Sequence, residues 1–155
     1  MLQFTKRTEY GLIALVHLVE RRGEFVSVRE ICDRHPIPRR LVAEVLKELG
    51  RANLVESQRG AGGGYSLARA PEDVTLGQVI AALEGAPALT SCATNELSSL
   101  SKLSGLGECE VEPTCPIRSP IHTVREHLWG LLERTTLRSL VTPAPGLSAL
   151  TPTPN

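Results

Sequence analysis

Three cysteines in the second half of the chain are close enough in sequence to share a metal centre. Cys92, Cys109 and Cys115 follow the spacing C-x16-C-x5-C, in a stretch rich in Ser, Gly and Pro that allows thiolates to converge. Three thiolates suit an iron-sulfur cluster or a zinc ion, and both take four ligands. Candidates for the fourth ligand are His122, His127, Glu110, Glu112 and a residue from elsewhere in a dimer.

The cysteine spacing also leaves other interpretations open. In one alternative the three thiols are free in an unstructured loop. In another, two of them form a disulfide and act as a thiol switch. A zinc ion that only orders the loop is a further alternative, and so is an iron-sulfur electron carrier. The fourth cysteine, Cys32, falls on a short predicted helix and is expected to be a small buried apolar residue.

Basic residues occur where a DNA-binding protein needs them. Arg39 and Arg40 open a predicted helix, and arginines near a helix N-terminus reach base edges in the major groove. Arg59 precedes a glycine-rich turn, a pattern that suits a tip entering a narrow minor groove. The predicted DNA contacts are Arg39, Arg40, Lys47, Arg59, Gly62, Gly63 and Gly64, with Lys47 placed to touch backbone phosphate.

The same residues allow two other interpretations. In the first, the arginines are ordinary solvated surface residues, and the three helices and the hairpin form a unit that contacts proteins instead of DNA. A phosphate-binding loop is excluded because no Lys-Ser/Thr pair follows the glycines, and a strand rather than a helix comes next.

The elements that position the basic residues follow from periodicity and capping signals. Apolar positions predict a buried first helix from Thr5 to about Arg22. Ser27 and Glu30 form a capping-box pattern for a short second helix, and Pro38 fits the first position of a third. Two short helices joined by a tight turn predict a helix-turn-helix.

The remaining segments predict a wing, a further helix and a dimer contact. Two strand-like pieces, 54–58 and 65–67, flank the glycine-rich turn and predict a β-hairpin. Thr75 and Gln78 cap a helix that ends near Glu84. From Ile117, apolar residues recur at alternating spacings of four and three, the pattern of a helix that packs along a second copy of itself. The tail from Pro143 is predicted to be disordered.

The distribution of charge is consistent with a nucleic-acid partner that binds the first half of the chain. Residues 1–70 hold twelve basic and eight acidic side chains, whereas 71–155 hold five and nine. No apolar run is long enough for a membrane span and the N-terminus lacks a signal-peptide pattern, so we expect a cytoplasmic protein without membrane contact. In that reducing compartment a disulfide framework is not expected.

Several segments together resemble one family of bacterial regulators. The segments are FTKRTEYGLIALVHL, IPRRLVAEVLKELGRANLVES, RGAGGGYSLA and VTLGQVIAALEG, followed by the cysteine loop. They are similar to the Rrf2 family, which includes IscR-, NsrR- and RirA-like proteins, over about residues 1–140. The resemblance implies a homodimeric winged-helix protein that binds palindromic operators in double-stranded DNA, many members carrying a [2Fe-2S] or [4Fe-4S] cluster.

The resemblance also implies which residues hold the cluster. It assigns Cys92, Cys109 and Cys115 as ligands, and Glu9 matches an acidic ligand that NsrR-like proteins supply from the other subunit. A solvated charge in the first helical turn is the alternative interpretation of Glu9. The gap between the first two cysteines is longer than in IscR-like proteins, and Arg118 replaces their histidine, so the number of irons in the cluster stays open.

The sequence therefore predicts a mostly α fold with a small β-hairpin: a winged helix-turn-helix plus a long C-terminal dimerisation helix. The expected function is a homodimeric transcriptional regulator, not an enzyme, that senses iron-sulfur, redox or nitric oxide status. The predicted divisions are a DNA-binding domain over 1–84, a cluster loop over 85–116, a dimerisation helix over 117–141 and a tail over 142–155.

Overall fold

The computed structural model describes residues 4–85 and 114–142, which form six helices and one hairpin. Two of the three clustered cysteines, Cys92 and Cys109, lie outside these ranges, as do most of the predicted cluster loop and tail. The elements in chain order are α1 (Lys6–Glu20), α2 (Val28–Arg34), α3 (Arg39–Arg51), β1 (Val55–Gln58), β2 (Gly64–Leu67), α4 (Leu76–Leu83), α5 (Arg118–Arg134) and α6 (Leu137–Val141).

Side-chain caps begin most of these helices. The Ser27 hydroxyl accepts a hydrogen bond from the Glu30 backbone N–H, and Thr75 forms a reciprocal capping box with Gln78, as predicted. Pro38 is the N-cap of α3 rather than its first helical residue. The difference of one position is small because the fixed φ of proline suits both places.

One apolar core joins the helices to the base of the hairpin. The apolar face of α3 is fully buried against α1, and Leu54 and Val55 bring the start of the hairpin into the same cluster. Burial of apolar area at this scale is the main driving force for the fold. The fully buried side chains include Leu15, Leu18, Ile31, Val42, Val45, Leu46, Leu49, Val74 and Val79.

The wing is an antiparallel pair of strands, and the segment just before α2 is hydrogen-bonded to its second strand. Its register runs from Val55 opposite Leu67 to Gln58 opposite Gly64. Val26 forms an additional antiparallel bridge with Tyr65, with N–H to O distances of 2.9 and 2.8 Å. The backbone just before the helix-turn-helix therefore fixes the hairpin directly.

The range 117–141 contains two helices rather than one. The chain turns at Thr135 and Thr136, where the Leu76 N–H donates to the Thr135 carbonyl at 2.8 Å and the Leu137 N–H to the Val74 carbonyl at 2.9 Å. The Thr136 side chain caps α6, and Leu137 is fully buried in the core of the winged helix. The C-terminal helices are thus clamped to the N-terminal end of α4.

The predicted fold class is confirmed: the described residues are mostly helical with one two-stranded antiparallel hairpin. Within 4–85 and 114–142, no helix is long and apolar enough to cross a membrane.

A candidate nucleic-acid interface and the cysteine positions

The first turn of α3 presents both predicted arginines to solvent. The Arg40 side chain is 93% exposed and its Nε lies 3.1 Å from Glu44 Oε1, one turn along the same helix. Arg39 reaches back across the turn to Asp33 on α2, with Nη2 to Oδ1 at 2.8 Å. Such surface ion pairs are weak and easily exchanged for a stronger anion such as phosphate.

The orientation of α3 follows from its apolar stripe. Val42, Val45, Leu46 and Leu49 are fully buried, so the opposite face of the helix must point outward. Lys47 is exposed on that outward side, together with Arg40 and Glu44. The helix therefore offers a continuous polar face of the size that a major groove accepts.

The glycines of the wing divide into two kinds. Gly60 and Gly62 have φ values of 104° and 80°, in the region that favours glycine, and they form the exposed tip beside the exposed Arg59. Gly63 and Gly64 are needed for close packing, because a Cβ there would lie 2.4 Å from the Gln58 carbonyl oxygen and 2.3 Å from the Val26 carbonyl oxygen. DNA contact by Gly62, Gly63 and Gly64 stays a prediction.

A surface groove joins α3 to the wing. Lys47 and Arg51 line it from the helix side, and Ser57 and Tyr65 line it from the hairpin. The structure thus brings Lys47 and the β-hairpin to one surface.

The predicted metal ligands are only partly described. Cys115 is a half-buried free thiol just before α5. Glu9 lies in the first turn of α1, where its Oε2 is 2.5 Å from Lys6 Nζ. Within residues 4–85 and 114–142, no three His, Cys, Asp or Glu side chains are grouped to hold a metal ion. Cys32 is half-buried, and burial raises the pKa of its thiol.

Glu84, at the C-terminal end of α4, binds the first turn of α1. Its Oε1 accepts hydrogen bonds from the Thr5 N–H at 3.1 Å, the Thr5 hydroxyl at 2.7 Å and the Thr8 hydroxyl. Burial alone would raise the pKa of Glu84, but the hydrogen bonds from Thr8 and Thr5 outweigh it, and the pKa is lowered. Sequence reasoning missed this contact because the partners are 76 and 79 positions apart.

A family model matches residues 4–143 of the chain. It is the Rrf2 model, described as an iron-dependent transcriptional regulator. The match covers α1 to α6, including the helix-turn-helix, the wing and α5.

Individual relatives support the same assignment. The transcriptional regulator NsrR of Halalkalibacterium halodurans is 29% identical over 150 residues, covering 96% of this chain and 97% of that protein. Among solved structures, CymR, the global cysteine regulator of B. subtilis, matches with a TM-score of 0.68 and 26% identity, over 93% of this chain and 99% of CymR. T. potens IscR matches with a TM-score of 0.65 and 26% identity, over 99% and 94%.

Proposed function

This chain belongs to the Rrf2 family of transcriptional regulators, and we propose that it is a homodimer that binds palindromic duplex DNA and responds to iron-sulfur, redox or nitric oxide status through an iron-sulfur cluster. It is a DNA-binding regulator and not an enzyme.

The exposed first turn of α3 is the observation that supports DNA binding most directly. Arg39 and Arg40 extend from a helix whose opposite face is locked into the core, so they approach a groove without a rearrangement of the fold. Arg59 at the exposed wing tip is placed for a minor-groove contact, and Lys47 for a phosphate.

A stripe of exposed apolar residues on α5 supports the dimer. Ile117, Val124 and Leu131 are 56%, 47% and 53% exposed, and they are seven residues apart, which places them on one side of the helix. The same helix of a second copy offers the matching stripe. Two subunits related in this way present two α3 helices to a palindromic operator.

Cys92, Cys109 and Cys115 are proposed to hold the cluster with three thiolates, and Glu9 of the other subunit to complete the ligand set. Thiolates and a carboxylate suit iron as ligands. Cys115 and Glu9 are both half-buried, so neither side chain is enclosed in the core. When bound, such a cluster supplies a centre that reacts with oxidants and nitric oxide.

Glu9 gives this arrangement a mechanism for signalling. It lies on α1, which packs against α3, so a bond from Glu9 to an iron of the cluster held by the partner's cysteines would tie the two DNA-binding units together. Its release would let Glu9 pair with Lys6 alone and would allow a different spacing of the two α3 helices. A switch needs only this difference in contacts between two arrangements.

A regulator of the same fold without a cluster is the second candidate. Its cysteines would act as a thiol switch or a zinc site, and the likeness to a regulator of cysteine favours a thiol-based signal. An iron-sulfur electron carrier is less well supported, because the exposed α3 arginines and the wing would then have no role.

The DNA-binding part is tested by selecting duplexes from a randomised library with the wild-type protein and measuring affinity for the selected sequence. Arg40→Ala and Arg59→Ala are each expected to weaken binding by about tenfold or more at fixed salt, because each removes a base-edge or groove contact. Arg138→Ala is the matched control, since Arg138 is on α6 and pairs with Glu72. Equal effects of all three substitutions would contradict the assignment.

The sensing part is tested by an ultraviolet-visible spectrum with iron and sulfide analysis of protein purified without oxygen. Visible charge-transfer bands with matching iron and sulfide are expected, and they are expected to vanish in Cys115→Ser. A colourless protein after anaerobic reconstitution would exclude the cluster and favour the thiol switch or zinc.

A further inference from the structure

Three helices meet at Gly11 of α1. A Cβ at this position would lie 2.9 Å from Leu83 Cδ1 on α4 and 3.0 Å from Val45 Cγ1 on α3, so the side chains of both helices pack directly against the backbone of α1. Val45 belongs to the buried face of the helix that carries the DNA-contacting arginines. A shift of α1 or α4 at this junction is therefore transmitted to α3 through direct contact.

Two polar contacts fix the same junction from the N-terminal side of Gly11. Glu84 holds the first turn of α1 through Thr5 and Thr8, as described above. One residue before Thr8, Arg7 reaches the other way and its guanidinium pairs with Glu48 on α3. The first turn of α1 thus has one polar anchor on α4 and another on α3.

The buried hydroxyl of Thr8 requires the acceptor that Glu84 provides. Its side chain is 0% exposed, so its hydroxyl has no access to water and depends on the Glu84 carboxylate. A buried hydroxyl that loses a charged acceptor carries a desolvation cost that a surface hydroxyl avoids. The carboxylate also lies at the N-terminus of α1, where the helix dipole favours a negative charge.

We propose that Glu84 is a positioning residue for DNA binding: through Thr8 and the first turn of α1 it sets the placement of the recognition helix α3. The proposal rests on the DNA-binding function proposed above and adds to it a residue that positions the recognition helix.

A matched pair of substitutions at Thr8 in the full-length protein separates positioning from packing. Thr8→Val keeps the shape and removes the hydroxyl, whereas Thr8→Ser keeps the hydroxyl and removes a methyl group. Thr8→Val is expected to weaken affinity for the selected duplex by about tenfold, while Thr8→Ser stays within about twofold of wild type. A larger loss of affinity in Thr8→Ser than in Thr8→Val would overturn the proposal. So would equal losses of affinity that follow the decrease in melting temperature.

Glu84→Ala provides a second variant that keeps the core intact, because Glu84 lies on the surface. It is expected to match the affinity loss of Thr8→Val, and Glu72→Ala, which removes another surface carboxylate, is expected to bind like wild type. Unchanged affinity in Glu84→Ala would also overturn the proposal.

Hydrogen exchange distinguishes a failure of this proposal from a failure of the proposed function. Thr8→Val and Glu84→Ala are expected to speed exchange of the α3 backbone amides, and Thr8→Ser is not. If the wild-type protein selects no duplex, the proposed function fails, and the exchange pattern alone decides whether Glu84 positions α3. Exchange in α3 that is the same in all four proteins would overturn the proposal.

Discussion

The imidazole of His17 is a polar, titratable group in a buried position. It is on the buried side of α1, only 6% exposed, and neither ring nitrogen has a hydrogen-bond partner among the described residues. His35, at the C-cap of α2, lies edge-on with a centroid separation of 5.4 Å, and Glu30 Oε1 is 4.0 Å from Nε2. Burial first, and then the nearby His35, lower the pKa of His17 below its ordinary value of 6.5.

This lowered pKa predicts a loss of stability in mild acid. Below pH 6.5 the unfolded chain binds a proton at His17 that the folded chain refuses, so the free energy of unfolding falls until the folded-state pKa is reached. The slope is at most about 1.4 kcal/mol per pH unit, the value for one proton. Urea titrations across this range should show the slope in wild type and lose it in His17→Phe.

The exposed His127 on α5 supplies the control for this measurement. If His127→Gln removed the slope and His17→Phe left it unchanged, the buried imidazole would not be its source.

At the scale of elements, the wing depends on one close backbone approach. Gly64 is the first residue of β2 and lies against the carbonyl group of Val26. A Cβ on Gly64 would collide with these backbone atoms, which cannot move aside as a side chain can. Gly64→Ala is therefore expected to lower the free energy of unfolding by about 2 kcal/mol or more, as overpacking does. Chemical denaturation followed by circular dichroism measures the change.

For a glycine in α3 we expect the opposite change in the free energy of unfolding. Gly50 is in a helix, and a Cβ there meets only ordinary contacts, the nearest at 3.7 Å. Gly50→Ala is expected to stabilise the protein by up to about 1 kcal/mol, because alanine is the better helix former. Destabilisation of similar size in both variants would contradict the packing argument for Gly64.

Elements with local signals were predictable, and those that depend on distant contacts were not. Thr75 and Gln78 are three residues apart, so the start of α4 could be read from the sequence, and the same is true of the Ser27 cap. The break between α5 and α6 depends on hydrogen bonds from Leu76 and Leu137 to residues far away in the chain.

The candidate site divides in the same way. The exposure of Arg39 and Arg40 follows from the apolar stripe of α3, which periodicity reveals. The role of Glu84 needs the packing of α4 on α1, and no local pattern encodes that. The packing reason for Gly63 and Gly64 likewise depends on the tertiary structure, since a glycine-rich turn alone indicates only flexibility.

At the scale of the whole molecule, the exposed stripe on α5 predicts the oligomeric state. Val124 is at its centre, and Val124→Glu would place two buried charges across the proposed symmetric contact. We expect this variant to be monomeric in sedimentation equilibrium and to bind a palindromic duplex much more weakly than wild type. Ser119→Glu, exposed on another side of α5, is expected to remain dimeric. A monomeric wild-type protein would contradict the dimer.

The burial of Leu137 has a consequence for how the protein is made. A ribosome delivers the helix-turn-helix and the wing well before this side chain, yet the core they share is closed by Leu137. During synthesis the nascent winged helix therefore keeps an open apolar face until α5 and α6 have emerged from the exit tunnel. Completion of the DNA-binding fold thereby follows the arrival of the proposed dimer contact, so a chain terminated before α5 would lack both.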